Sequence, residues 1–143
     1  MQPDLLQFHG NESAAFCRQF AHRYIRVFRI GAPDLSTPAE VLARCRQFDD
    51  AAAWLFDTHS SGYGGSGRAF DLELLSAVLR SPHTRPVILA GGLTAATVTS
   101  ALEAIHPFAV DVSSGVEVSP GIKSGERVAA FIRAVRAYDN QNL

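Results

Sequence analysis

Residues 51–58 read AAAWLFDT, and the alternation within this stretch decides between two folds. As a strand it places Asp57, Leu55 and Ala53 on one face and Trp54 and Phe56 on the other, because successive side chains point to opposite sides. The stretch "FAVDVSSG" (108–115) repeats the pattern: Asp111 shares a face with Ala109 and Ser113, while Phe108, Val110 and Val112 face the other way. In "LLQFHG" (5–10), Gln7 and His9 lie on one face, Leu6 and Phe8 on the other. Bulky apolar residues thus keep to one side and small or polar ones to the other, with polarity rising toward the C-terminal end. A sheet covered by helices on both faces has no need of such a division. A barrel whose site lies at its C-terminal mouth does.

The rest of the chain continues the rhythm. Strands are expected at 5–10, 24–30, 51–58, 86–92 and 108–115. Helices are expected at 11–23 (capped by Asn11), 36–48 (capped by Ser36 or Thr37, with Pro38 in the first turn), 71–81 (capped by Asp71), 94–105 and 124–138. Strict alternation of this kind means parallel strands joined by right-handed helical crossovers. The fold expected is α/β, a TIM-barrel type represented by about five βα units. Residues 1–138 form a single domain, and 139–143 a polar tail.

Composition narrows the function classes. With 13 Lys and Arg against 14 Asp and Glu, the net charge of −1 gives no electrostatic reason to expect nucleic acid or a membrane surface as partner. No apolar run has transmembrane length, and no basic-then-apolar leader opens the chain, so the cytoplasm is the default compartment. The two cysteines, Cys17 and Cys45, lack metal spacing and fall within helical patterns, where packing is their expected role. His22, His59, His83 and His106 fall in loops or at helix ends and are expected to be solvated; His9, at a strand end, can bind substrate.

After Asp57 the chain enters "THSSGYGGSGRAFD" (58–71), in which Gly62, Gly64 and Gly67 satisfy a dinucleotide-binding pattern literally. Its context fails. Four residues separate Asp57 from Gly62, three more separate Gly67 from Asp71, and the next strand ends in Ala90-Gly91-Gly92 rather than an acid. The stretch is then a flexible loop or a flap over a site at Asp57, with Gly62, Gly64, Gly65, Ser66 and Gly67 as its moving part. Asp57 itself is either a poorly solvated general acid or a loop hydrogen-bond acceptor. "LAGGLT" (89–94) and "DVSSGVE" (111–117) both end strands in small residues whose backbone amides a ligand can approach. On consecutive final units, Gly91, Gly92, Ser113, Ser114 and Gly115 resemble the phosphate cradle that many barrels build there. Asp111 either orients a polar group of the substrate or makes a structural hydrogen bond.

The motifs "LLQFHGNES", "LFDT…GGSGRAFD", "VILAGGLT" and "PFAVDVSSGVE…PGIKS…VAAFI", in this order, resemble the phosphoribosylanthranilate isomerases of tryptophan biosynthesis. The resemblance runs from residue 1 to about residue 137. It implies a (β/α)8 barrel that carries out an Amadori rearrangement of N-(5-phosphoribosyl)anthranilate to the 1-deoxyribulose 5-phosphate. It further implies Asp57 as general acid, the substrate phosphate on Gly91, Gly92, Ser113, Ser114 and Gly115, and Asp111 near the anthranilate. Gln7 and His9 are the further expected substrate contacts. No cofactor or metal is implied, because the anilino nitrogen already conjugates the iminium. The expected partner is the small phosphosugar substrate.

One part of the family pattern has no counterpart here. The family's general base is a cysteine in a Lys-Ile-Cys-Gly-like first strand, and an arginine on an early loop meets the anthranilate carboxylate. Neither occurs in this sequence. Counted from the glycine loop as unit six, "LLQFHG" begins unit four, so the chain is expected to hold units four to eight of a barrel truncated at its N-terminal side. Five strands cannot close a barrel, and leaving several hundred Å2 of apolar edge uncovered costs on the order of 10 kcal/mol at about 25 cal/mol per Å2. The expectation is therefore low isomerase activity for the chain alone, with self-association or an N-terminal fragment covering the edges. The alternative is a non-catalytic phosphosugar-binding remnant.

Overall fold

The computed structural model describes residues 3–58 and 72–142. The glycine loop, with the expected flap residues Gly62, Gly64, Gly65, Ser66 and Gly67 and the expected cap Asp71, lies outside the described residues.

Five parallel strands form one sheet in sequential order: β1 (Leu6–Phe8), β2 (Tyr24–Ile30), β3 (Ala53–Thr58), β4 (Val87–Leu89) and β5 (Ala109–Val110). Sequential order without a reversal, with right-handed crossovers, puts every helix on the same side of the sheet. The burial agrees. On the helix side a large core gathers Tyr24, Phe28, Phe48, Trp54, Phe56, Leu75, Leu89, Val98 and Phe131. The other face carries only a small cluster, Val27, Leu55 and Ala90, with Ile25 and Ile88 against it. This is the barrel-type division of faces, and β3 alternates as expected: Trp54 and Phe56 are 1% and 0% exposed on the helix side, while Asp57 faces the other way with Leu55. The segment expected as a strand over 108–115 departs from the pattern: only Ala109–Val110 is strand, Phe108 is exposed, and Val112 lines the same cavity as Asp111 and Ser113.

The helices are shorter than their sequence patterns. α1 spans Ala14–Arg18, and its cap is Ser13, whose side chain accepts from the Phe16 amide, rather than Asn11. The segment before it is held as a loop by Arg26. This side chain, 5% exposed on the helix side of β2, donates to the carbonyls of Phe8 (3.2 Å) and Gly10 (2.9 Å) and to Glu12 (2.8 Å). α2 (Pro38–Cys45) begins as expected, with Thr37 and Glu40 forming a reciprocal capping box and Pro38 in the first turn. It ends in a 3₁₀ turn, Arg46–Phe48, whose last carbonyl receives the Trp54 indole N–H at 2.9 Å.

In place of a helix over 71–81, Leu72–Leu75 is a 3₁₀ turn followed by a short α3 (Ser76–Leu79). Positions three apart eclipse in a 3₁₀ turn, so Leu72 and Leu75 reach the core together. α4 covers Val98–Ile105, starting four residues later than expected, because Thr94–Thr97 forms a separate turn in which the Thr97 hydroxyl takes the Thr94 amide at 3.0 Å. α5 runs Gly125–Gln141 from its Ser124 cap, entering the segment expected to be a tail. A hairpin that the periodicity does not announce, β6 (Glu117–Ser119) and β7 (Ile122–Lys123), precedes α5. It turns at Pro120-Gly121, where Gly121 takes φ +80°.

Candidate active site

At the C-terminal ends of the strands, on the face away from the helices, lies a cavity of about 400 Å3. Its wall brings together most of the expected site residues: Gln7 and His9 from β1 and its loop, Asp57 from β3, Gly91 and Gly92 after β4, and Asp111, Ser113, Ser114 and Gly115 after β5. They converge because all of them occupy the non-helix face, or the loops that follow it, in a parallel sheet whose strands end at one rim. Asp57 is half-buried; Gln7, His9 and Asp111 are exposed to the cavity mouth. Neither cysteine takes part. Cys17 and Cys45 are both 0% exposed in the helix-side core, and burial raises both thiol pKa values.

The two glycine-containing loops form one unit. Gly91 and Gly92 both adopt left-handed backbone, φ +82° and +65°, which turns the chain out of β4 as only glycine does easily. Among the described residues, neither of their amides donates to another protein group. The facing loop touches this one at Gly115: a Cβ there would sit 1.8 Å from the Leu93 carbonyl oxygen. Only a residue without a side chain lets the loops meet. The Asp111 amide, donating to the Leu89 carbonyl at 2.9 Å, ties the start of the second loop to β4.

The far side of the second loop is fixed by residues to which the sequence reading gave no role. Lys123 Nζ donates to the Ser113 carbonyl (2.9 Å), the Ser113 hydroxyl (3.1 Å) and Glu117 Oε1 (2.6 Å). Glu117 also accepts the Gly121 amide, and the Lys123 bond is the largest of the influences that lower its carboxyl pKa. The "GVE…PGIK" spacing is thus the signature of a hairpin whose lysine props the loop after β5. Arg29, in the same cavity wall, is the other residue that the sequence reading missed. The alternation rule alone places it on the face of Val27. Among the described residues, no group of three or more His, Cys, Asp or Glu side chains could hold a metal ion, and no helix is long and apolar enough to cross a membrane.

Known proteins share the sequence pattern and the fold. The sequence pattern of the N-(5'-phosphoribosyl)anthranilate isomerase family matches residues 1–134. The isomerase of Bordetella petrii is 55% identical over 139 residues, 97% of this chain and 63% of the relative. Among solved structures, phosphoribosyl anthranilate isomerase from Thermotoga maritima superposes with a TM-score of 0.77 at 33% identity, over 94% of this chain and 62% of that one. A phosphoribosyl anthranilate isomerase in complex with reduced 1-(o-carboxyphenylamino)-1-deoxyribulose 5-phosphate superposes with a TM-score of 0.74 at 29% identity, over 94% and 60% of the two chains. The chain therefore spans somewhat under two thirds of the length of these relatives, and over that span it belongs to the N-(5'-phosphoribosyl)anthranilate isomerase family.

Proposed function

We propose that this chain supplies the general acid and the phosphate site of a phosphoribosylanthranilate isomerase of tryptophan biosynthesis. The observation that carries the reading is the meeting of Asp57 with the Gly91-Gly92 and Ser113–Gly115 loops in one cavity. The loops offer backbone amides and hydroxyls suited to a phosphate. Asp57, on the strand beside them, is within one strand spacing of a sugar anchored there.

The chemistry then runs as follows. Asp57 gives its proton to the ribose ring oxygen while the C1–O bond breaks, and the anilino nitrogen's lone pair forms the C1–N double bond of an iminium. A base removes the proton from C2, and its electron pair neutralises the iminium to give an enol-amine. Tautomerisation to the 2-ketone completes the rearrangement, with no net gain or loss of electrons. The base is a cysteine in the family; Cys17 and Cys45 lie in the helix-side core and do not serve. It belongs to the βα units that relatives carry in addition to those matched here.

The test is complementation. This chain, combined with the first three βα units of the Bordetella petrii isomerase, should convert phosphoribosylanthranilate, followed by loss of anthranilate-type fluorescence. The Asp57→Asn chain should lower that turnover by roughly 10²–10⁴-fold. Unchanged turnover in the variant would remove Asp57 from the reaction. Phosphosugar binding without turnover in any combination would favour a non-catalytic binding role.

A further inference from the structure

Lys123 spends its N–H donors on protein acceptors: the Ser113 carbonyl at 2.9 Å, the Ser113 hydroxyl at 3.1 Å and Glu117 Oε1 at 2.6 Å. It stands opposite Glu117 in the β6–β7 pair, and Arg127 of α5 donates to the Glu117 carbonyl, so the hairpin holds the ammonium group in place. Lys123 does not itself line the cavity, whereas Ser113 and Ser114 do. Among the described residues it is the one lysine or arginine that hydrogen-bonds to either loop of the cavity wall. Other cations nearby are placed differently. Arg29 is in the cavity wall on β2 and borders a second cavity of about 380 Å3. There Arg44 is paired with Asp34 at 3.0 Å and Arg26 with Glu12 at 2.8 Å.

An ammonium group donates and never accepts. The Ser113 oxygen therefore accepts from Lys123, and the serine's own O–H is left to donate elsewhere. Among the described residues no protein acceptor takes it. The Ser113 carbonyl belongs to the same peptide group as the Ser114 N–H, and in a trans peptide the two point in opposite directions. A cation on the carbonyl polarises the group and strengthens the N–H at its other end. The Ser114 amide, too, has no protein acceptor among the described residues. One lysine outside the cavity thus acts on two open donors carried by its wall.

We propose that Lys123 is a positioning residue for the substrate phosphate: it orients and polarises the Ser113 hydroxyl and the Ser114 amide without touching the ligand. The inference rests on the isomerase reading and adds a residue to it. Hydrogen bonds to an ionised group are the strong ones, and a chain that runs from cation through hydroxyl or peptide to anion strengthens each link. Glu117 holds the ammonium group against the loop and offsets part of its charge. The lysine therefore works through its two bonds to Ser113 rather than as a free positive charge in the cavity.

Inorganic phosphate is the probe, titrated into the isotope-labelled chain with the amide shifts giving the affinity. Lys123→Met should weaken binding by roughly 2–5-fold. It should also move the Ser114 amide signal before any phosphate is added. Lys123→Arg, which keeps a charged donor, should recover part of the loss. A double-mutant cycle with Ser113→Ala separates this role from the field of a nearby charge. The Glu117 carboxylate left unpaired by Lys123→Met repels phosphate in both backgrounds and cancels. With the hydroxyl gone, Lys123→Met should cost less affinity than it does in the native chain. The same factor in both backgrounds would overturn the proposal, as would unchanged affinity in Lys123→Met. A Lys123→Met chain that lost its cooperative thermal unfolding would place the lysine in the fold rather than at the ligand, and would overturn it too. If the native chain binds no phosphate at these loops, the phosphate-site reading itself fails and this inference with it.

Discussion

Gly115 joins the loop after β5 to the Gly91-Gly92 loop. A methyl group at this position would collide with the Leu93 carbonyl oxygen, which is backbone and can yield only if a loop moves. Gly115→Ala should therefore cost about 1–3 kcal/mol of stability and also weaken the binding of inorganic phosphate. Thermal unfolding and a phosphate titration check the two effects separately.

Arg26 is the corresponding residue on the helix side. Replacing it by Met leaves the Phe8 and Gly10 carbonyls without their donor and should cost roughly 1–3 kcal/mol in denaturant unfolding. Its partner Glu12 adds a pH dependence. The largest influence on the Glu12 carboxyl is a hydrogen bond from its own backbone amide, which lowers the pKa; burial opposes it, and the bonds from Arg26 and the Gly10 amide lower it further. The folded pKa lies below the ordinary 4.5, so this stabilisation is full above that value and is lost as the pH falls through the folded pKa. Glu12→Gln should flatten the fall in stability from about pH 5 downward, measured by unfolding at a series of pH values.

Asp57, Asp111, Gln7 and His9 were legible in the sequence because a polar residue on an otherwise apolar strand face stands out. Arg26 and Arg29 were not, although the same alternation assigns them to opposite faces. A buried arginine contradicts the usual rule of charge outside, and only the carbonyls of a loop distant in sequence make its position intelligible.

At the scale of elements, the order of strands and helices was legible and their limits were not. Capping chemistry fixed α2, where Thr37, Pro38 and Glu40 all agree. It failed at α1 and α4, where a tertiary contact from Arg26 and a turn built on two threonines claim the residues that periodicity gives to the helix. β5 keeps only Ala109–Val110 in register because β4, its one partner among the described strands, ends at Leu89. The β6–β7 hairpin is too short for its apolar pattern to register, yet its lysine makes three hydrogen bonds, two of them to Ser113 in the cavity wall. Lys123 is about half exposed, so Lys123→Met should change global stability little. It should loosen Ser113 and weaken phosphate binding by roughly 2–5-fold, read by titration of the amide signals.

At the scale of the whole molecule, the sheet buries one face under helices and leaves the other as the wall of a site. Its outermost strands, β1 and β5, each pair with a single described strand. Large apolar side chains stand exposed near both: Leu5, Phe16 and Phe20 beside β1, and Phe108, Val118, Ile122 and Ile132 around β5 and the hairpin leading to α5. The barrel type was legible because sequential units and one-sided polarity both follow from local patterns.

The central claim is that the rim formed by β3, β4 and β5 binds a phosphosugar. The most direct measurement is an NMR titration of the isotope-labelled chain with reduced 1-(o-carboxyphenylamino)-1-deoxyribulose 5-phosphate. Saturable shifts at the Gly91, Gly92, Ser114 and Gly115 amides, together with the Asp57 carboxyl, are the expected result. Absence of shifts there, or shifts confined to the second cavity around Asp34 and Arg44, would contradict it.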